Sequence, residues 1–219
     1  MNFRGRLESA AKWLYPDRCE LCRRIACPPI CEECRSEFEP AAVPVVKSVT
    51  GNPLDITASL YDFSGRAADA VKQLKYSRIT SLAAPMAIEL AQAPSLLGLP
   101  AFDIVIPVPI HPSRRSERGF NQSELLVESF HESKIKTACL RRVIATKPQV
   151  ELSRAERLKN LTGAFEADEE ICGKRVLLVD DVTTSGGTGL ACATALKECG
   201  AGQVVLLTYC GEASPMRRD

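Results

Sequence analysis

Fourteen residues, Arg175 to Thr188, constrain this chain more than any others: R-V-L-L-V-D-D-V-T-T-S-G-G-T joins an apolar run, two carboxylates and a loop of hydroxyls and glycines. Val176 to Val179 has the uninterrupted, β-rich character of a parallel strand buried on both faces, and Asp180 and Asp181 stand where that strand is expected to end. Thr183, Thr184, Ser185 and Thr188 supply hydroxyl donors, while Gly186 and Gly187 permit positive φ and let backbone N–H groups approach a ligand closely. A helix is predicted from about Gly187 to Glu198, so its positive end points at whatever the loop holds. An anion fits there. Carboxylates beside such a nest repel phosphate oxygens unless they face sugar hydroxyls or a bridging cation, and a ribose 5-phosphate satisfies both halves. The same order also describes an ordinary strand, turn and capped helix with two solvated aspartates. A Walker loop is the poorer alternative, because G-x-x-x-x-G-K-[ST] does not occur.

The stretch V-L-L-V-D-D-V-T-T-S-G-G-T resembles the phosphoribosyl pyrophosphate (PRPP) motif of type I phosphoribosyltransferases: four apolar residues, two acids, then T-T-x-G-x-T. Its departures are Ser185, where Thr or Gly is common, and Gly187, where Ala is common. Both keep the hydroxyl or the small size that the loop needs.

With 219 residues the chain exceeds one typical domain of about 100 to 150, so one main domain plus an appendage is expected. The 28 basic and 27 acidic residues nearly cancel, and nothing global demands nucleic acid or an anionic membrane. No apolar run approaches the roughly 18 residues of a membrane span, and Met1 to Leu14 is an amphipathic mixture rather than a leader, so a cytoplasmic location is expected.

Five of the ten cysteines lie between Cys19 and Cys34. C-E-L-C at 19 to 22 and C-E-E-C at 31 to 34 form two C-x-x-C knuckles, and the four thiolates of Cys19, Cys22, Cys31 and Cys34 make the closed shell of a structural zinc site. The eight residues between them suit a small zinc ribbon, with Cys27 as a spare thiol or competing ligand. A disulfide or redox pair is the alternative, and it needs an oxidising compartment or a thioredoxin-like context that the sequence does not show. Iron in the same shell stays open. Cys139, Cys172, Cys192, Cys199 and Cys210 sit in apolar contexts and read as reduced, buried residues.

The domain plan is an N-terminal helix and four-cysteine module over 1–40, a linker over 41–54 and an α/β domain over 55–219. Phe3 to Leu14 has helical spacing, stopped by Pro16; the Pro-rich run from Glu37 to Pro53 is a linker with one short strand at Val43 to Val49. A strand at Ile56 to Tyr61 precedes a helix with Ala67, Val71 and Leu74 on one face and Lys72, Lys75, Tyr76 and Arg78 at its end, where cations are also favoured by the helix dipole alone. A second helix covers Leu82 to Ala93, and the strand Phe102 to Val108 leads into a basic loop with Arg114, Arg115 and Arg118. Asn121 to Glu124 has the spacing of a capping box opening a helix to about Phe130. Basic side chains after a strand stand where open α/β sheets bind ligands, although a solvated loop has the same composition. Cys139 to Ala145 is a strand candidate; Lys147 to Phe165, with Ser153 and Glu156 as another capping box, reads as a mobile flap. From His111 to Asn160 there are eleven Lys/Arg against six Asp/Glu, and Gln203 to Tyr209 is the last strand.

Three further stretches, Y-D-F-S-G-x5-V-K-Q-L-K-Y, I-P-V-P-I-H-P-S-R-x-x-E-R-G-F-N-Q and Q-x-x-L-S-R-x-E-R-x-x-N-L-x-G-A-F, are similar to the ComF family together with its four-cysteine module. The resemblance implies a type I phosphoribosyltransferase fold, a central mainly parallel sheet flanked by helices, with a small N-terminal zinc-ribbon module. It places Lys75 and Tyr76 in the pyrophosphate loop and Arg154 in a flexible catalytic loop. It implies an association with competence, DNA uptake or nucleotide metabolism. PRPP with Mg²⁺ is then the expected ligand: Thr183, Thr184, Ser185, Gly186, Gly187 and Thr188 take the 5-phosphate, Asp180 and Asp181 the ribose hydroxyls, and Lys75, Arg114 and Arg118 the pyrophosphate. Phosphoribosyl transfer would rest on positioning and electrostatics. Only ten residues follow the last strand, so an element covering an acceptor base is expected from the cysteine module. The rival expectation is a PRPP-responsive protein that binds single-stranded DNA alongside competence helicase-type partners, although the basic segment lacks interleaved aromatics for stacking.

Overall fold

The computed structural model describes residues 16–144 and 163–212. The expected helix before Pro16, and Ser153, Arg154 and Glu156 in the expected flap, lie outside them. The central strand forms as β6, Arg175–Thr183, and runs two residues past Asp181. It does so because its neighbour β7, Gln203–Gly211, is equally long and keeps the ladder closed, pairing Asp180 with Thr208, Val182 with Cys210 and Thr183 with Gly211. The other strands of the sheet are β1 (Val45–Lys47), β2 (Ile56–Asp62) and β3 (Ile104–Pro107), in the order β1-β2-β7-β6-β3. β1 is antiparallel to β2 and every other pairing is parallel. This is the mixed α/β, mainly parallel sheet that the sequence predicts.

Both faces are covered, which is why β6 and β7 read as unbroken apolar runs. Leu177, Val179, Val205, Leu207 and Tyr209 face the buried sides of α2 (Gly65–Tyr76) and α3 (Ala83–Leu96), including Ala67, Val71, Leu74, Met86 and Leu90. Val176, Leu178, Val204 and Leu206 face α6 (Gly187–Glu198) and a hairpin of β4 (Leu140–Arg142) with β5 (Phe165–Ala167). A Cβ on Gly189 would stand 2.5 Å from the Leu206 side chain, so α6 lies directly on β7 there. Among the described residues no helix is long and apolar enough to cross a membrane.

The cysteine module joins the first of these cores. Its buried residues Cys19, Leu21, Ile30, Cys31, Cys34 and Phe38 belong to the same cluster as α2 and α3. The first knuckle is a turn closed by an isolated bridge between Arg18 and Ile25, whereas the second opens a short helix, α1 (Glu32–Ser36), which a plain ribbon does not have. Phe38 packs edge-on against Tyr61 and Tyr209, with ring centres 5.2 and 6.4 Å away. Arg35 of α1 pairs with Glu89 of α3, whose other oxygen accepts hydrogen bonds from Tyr209 (2.6 Å) and Tyr61 (3.3 Å).

Leu177→Ala and Leu178→Ala, adjacent residues on opposite faces, are expected to destabilise by similar amounts, roughly 2–5 kcal/mol each in urea denaturation. A near-neutral result for either one contradicts burial of both faces.

Candidate functional site

The two aspartates at the carboxyl end of β6 occupy different environments. Asp181 follows the odd-numbered side of the strand, under α2, and is completely buried. The last turn of α2 brings Lys75 to it, with Nζ 3.2 Å from Oδ1 and 3.1 Å from Oδ2. Burial pulls the Lys75 ammonium down, but the carboxylates of Asp181 and Asp180 outweigh it and leave Lys75 above its ordinary value. Asp180 is half-buried; its Oδ1 accepts from Ser123 Oγ at 2.7 Å and from the Asp181 N–H at 2.9 Å. Burial, with the neighbouring Asp181 charge second, pushes Asp180 up to about 7 against the opposing pull of Lys75 and these hydrogen bonds.

The basic segments close on this edge from two sides. The segment with three arginines is mostly a helix, α4 (Pro112–Arg118), where the sequence suggests a loop. His111 accepts from the Ser113 N–H as N-cap, Pro112 stands at the helix start, and Gly119 ends it with φ 89. The Pro-start, Gly-stop pair is the local signal that marks it. Asn121 caps α5 (Gln122–Leu126) by accepting from Ser123 N–H, and its own amide donates to Val108 O. Glu124 does not close a capping box; it pairs with Arg115, while Arg118 bonds Gln122, and the helix ends before Phe130. Arg114 is half-buried beside them. After α2, Arg78 takes a left-handed φ of 56 and donates to Glu117 O at 2.6 Å, tying the end of α2 to α4. Tyr76 is 71% exposed. Ser123 also reaches this edge, where it bonds Asp180; sequence reading assigns it no role there.

Beyond the aspartates, Thr184, Ser185 and Gly186 form the turn into α6. Gly186 adopts φ 74, a left-handed backbone that favours glycine, and α6 starts with no side chain capping it. Its first N–H groups are therefore directed into a loop that also carries the hydroxyls of Thr183, Thr184, Ser185 and Thr188, the arrangement that receives an anion.

At the other end of the chain Cys19, Cys22, Cys31 and Cys34 bring four sulfur atoms within 4.8 Å of one another. The Cys19–Cys34 and Cys22–Cys31 separations are 3.8 and 3.7 Å. Tetrahedral thiolates at metal–sulfur bonds of about 2.3 Å are separated by roughly this amount, so the set fits one metal ion. Burial opposes ionisation of Cys19, but backbone N–H groups from Cys22, Cys31 and Leu21 bring it down to about 6. Burial and the other three thiols push Cys34 up, the conflict that a central cation removes. Cys27 is not in the cluster.

No protein-family model matches the chain. It is 33% identical over 165 residues to the DNA utilization protein YhgH of Salmonella typhi, covering 72% of this chain and 73% of that protein. It is 35% identical over 109 residues to Competence protein F of Haemophilus influenzae, covering 47% of each. Among solved structures it is similar to a phosphoribosyltransferase from Corynebacterium diphtheriae, with 17% identity and a TM-score of 0.36 over 64% of this chain and 78% of that one.

Because Asp180 titrates near 7 when folded and near 3.8 when unfolded, ionising it opposes folding as pH rises from about 4 through 7. Asp180→Asn is expected to match the parent at pH 4 and to exceed it by a few kcal/mol at pH 8, in urea denaturation. Lys75→Met strands a buried carboxylate and should destabilise by about 3–5 kcal/mol at pH 8, most of it recovered by adding Asp181→Asn.

Proposed function

The chain belongs to the family of the DNA utilization protein YhgH and Competence protein F, the ComF family, and from that premise we propose that it binds PRPP and acts as a phosphoribosyltransferase. The observation that carries this reading is the uncapped start of α6 behind Gly186, immediately downstream of the two aspartates. The loop from Thr183 to Thr188 takes the 5-phosphate. Asp180, with Ser123 beside it, and Asp181 take the ribose hydroxyls. Lys75, Tyr76, Arg114 and Arg118 line the pyrophosphate end, and Arg154, outside the described residues, is assigned to catalysis by the family resemblance of its sequence motif. Mg²⁺, bound with the ligand, supplies further neutralisation of the phosphate oxygens. As pyrophosphate leaves, positive charge grows on the ribose, and Asp180 stands where it stabilises that charge. The four-cysteine set holds structural zinc, and the chain serves DNA uptake or nucleotide metabolism in the cytoplasm.

One observation favours a second reading, a protein for single-stranded DNA. Tyr76 offers an exposed ring between Lys75 and Arg78, the stacking platform that the sequence pattern does not reveal.

Calorimetry with PRPP and Mg²⁺ is expected to give one site per chain, weakened tenfold or more by Asp180→Asn; no isotherm with the parent protein overturns the reading. Single-strand binding that fades steeply between about 50 and 200 mM salt and is lost in Tyr76→Ala supports the second reading, and no binding at low salt rejects it. Elemental analysis is expected to give one zinc per chain. Because the module shares the core of α2 and α3, chelation should lower the melting temperature of the whole chain in a single transition; a second, unshifted transition contradicts this.

A further inference from the structure

A buried helix start needs one N-cap, and α5 has it in Asn121, so the two polar residues that follow, Gln122 and Ser123, are not called for by helix formation. Alanine is the better helix former at both positions. Yet Asn121, Gln122 and Ser123 are 2%, 4% and 0% exposed, and polar side chains persist at such depth when they are bonded. Each grips a different group. The Asn121 amide donates to Val108 O at 3.1 Å, and the Val108 N–H donates to Val179 O at 2.8 Å, so the segment is tied to β6 one residue before Asp180. Asn121 Oδ1 accepts from the Ser123 N–H at 3.1 Å, and Ser123 Oγ donates to Asp180 Oδ1 at 2.7 Å, which closes a ring of bonds from Val179 back to Asp180. Gln122 Oε1 accepts from Arg118 Nη1 across the left-handed Gly119 that ends α4. Among the described residues both hydrogen bonds received by Asp180 fall on Oδ1, from Ser123 and from the Asp181 N–H, which leaves Oδ2 for a ligand. Arg118 likewise gives Gln122 one N–H, and a guanidinium has five.

On the reading that this edge holds PRPP, we propose that Gln122 and Ser123 are positioning residues: Ser123 sets the Asp180 carboxylate for the ribose hydroxyls, Gln122 sets Arg118 for the pyrophosphate, and Asn121 fixes both to β6. The two are neighbours in the chain, with Cα atoms about 3.8 Å apart, so one peptide unit relates the two ends of the site instead of two independent loops. A transfer without a protein nucleophile depends on how ribose and leaving group are held relative to each other, and this segment supplies that reference.

Calorimetric titration of the full chain with PRPP and Mg²⁺, with inorganic pyrophosphate and with ribose 5-phosphate tests this in the parent, in Ser123→Ala and in Gln122→Met. Ser123→Ala is expected to bind ribose 5-phosphate about tenfold more weakly with pyrophosphate little changed, and Gln122→Met the reverse, while both lose affinity for PRPP. The fragment that each variant still binds reports that it is folded, and adjacent residues failing on opposite fragments is a pattern that a general loosening of α5 does not give. With PRPP as ligand, Ser123→Ala should add little in an Asp180→Asn background, and Gln122→Met little in an Arg118→Met background, because each acts only through its partner. Variants that weaken both fragments alike or neither, or whose losses add fully to those of their partners, overturn the inference alone. A parent protein that binds none of the three overturns the PRPP reading and this inference with it.

Discussion

A carboxylate with no exposed surface keeps its charge only if a cation is brought to it, and the carboxyl edge of this sheet is arranged around that demand. Removing either ion of such a pair from water costs several kcal/mol, so the geometry that returns it must be held firmly. The chain meets this at Asp181 with a twelve-residue helix that leaves the end of β2, crosses the sheet on an alanine-rich face and delivers Lys75 in its last turn. Ala67 and Ala70 let that helix lie close to the strands. Once Lys75 is placed, Arg78 follows in a left-handed turn and fastens α4, with its arginines, beside the same edge. Asp180 is left as the half-buried carboxylate between the two basic segments, with its ionisation displaced toward neutrality.

The same face of the sheet carries the cysteine module. Arg35 follows Cys34 directly, so the position of that sulfur and the Arg35–Glu89 pair are set together, and Glu89 in turn collects the hydroxyls of Tyr61 and Tyr209 from the ends of two strands. Arg66 of α2 extends the junction by donating to Leu21 O and pairing with Glu37. Through α2 the packing runs from the four sulfur atoms at one end to Lys75 at the other, roughly 15 Å along the helix at 1.5 Å per residue. The proposed ligand edge and the four-cysteine set therefore rest on a common helix.

Much of this was legible because the signals are local. The unbroken apolar run of β6, the two acids and the glycine-started helix α6 follow from neighbouring residues, as do the two C-x-x-C knuckles. The mainly parallel sheet was implied by the family resemblance of those local motifs. What escaped the sequence depends on distant partners. β6 extends past Asp181 only because β7 is there to pair with it. The parity of Leu177, Val179 and Asp181 put Asp181 on one face, but nothing local told which helix covers that face or that Lys75 would pair there. The α4 helix hid because Pro112 to Arg118 has no apolar periodicity, leaving Pro and Gly as its only marks. Ser123 looks like an ordinary helix residue until the fold sets it against Asp180.

The central claim is that the turn into α6 receives the phosphate of a ribose phosphate, and amide-resolved NMR titration with ribose 5-phosphate tests it most directly. The account predicts that the largest shifts occur at the N–H groups of Ser185, Gly186, Gly187 and Thr188, with smaller ones at Asp180 and Ser123. Saturable shifts confined to other parts of the chain, with these amides unmoved, would contradict it.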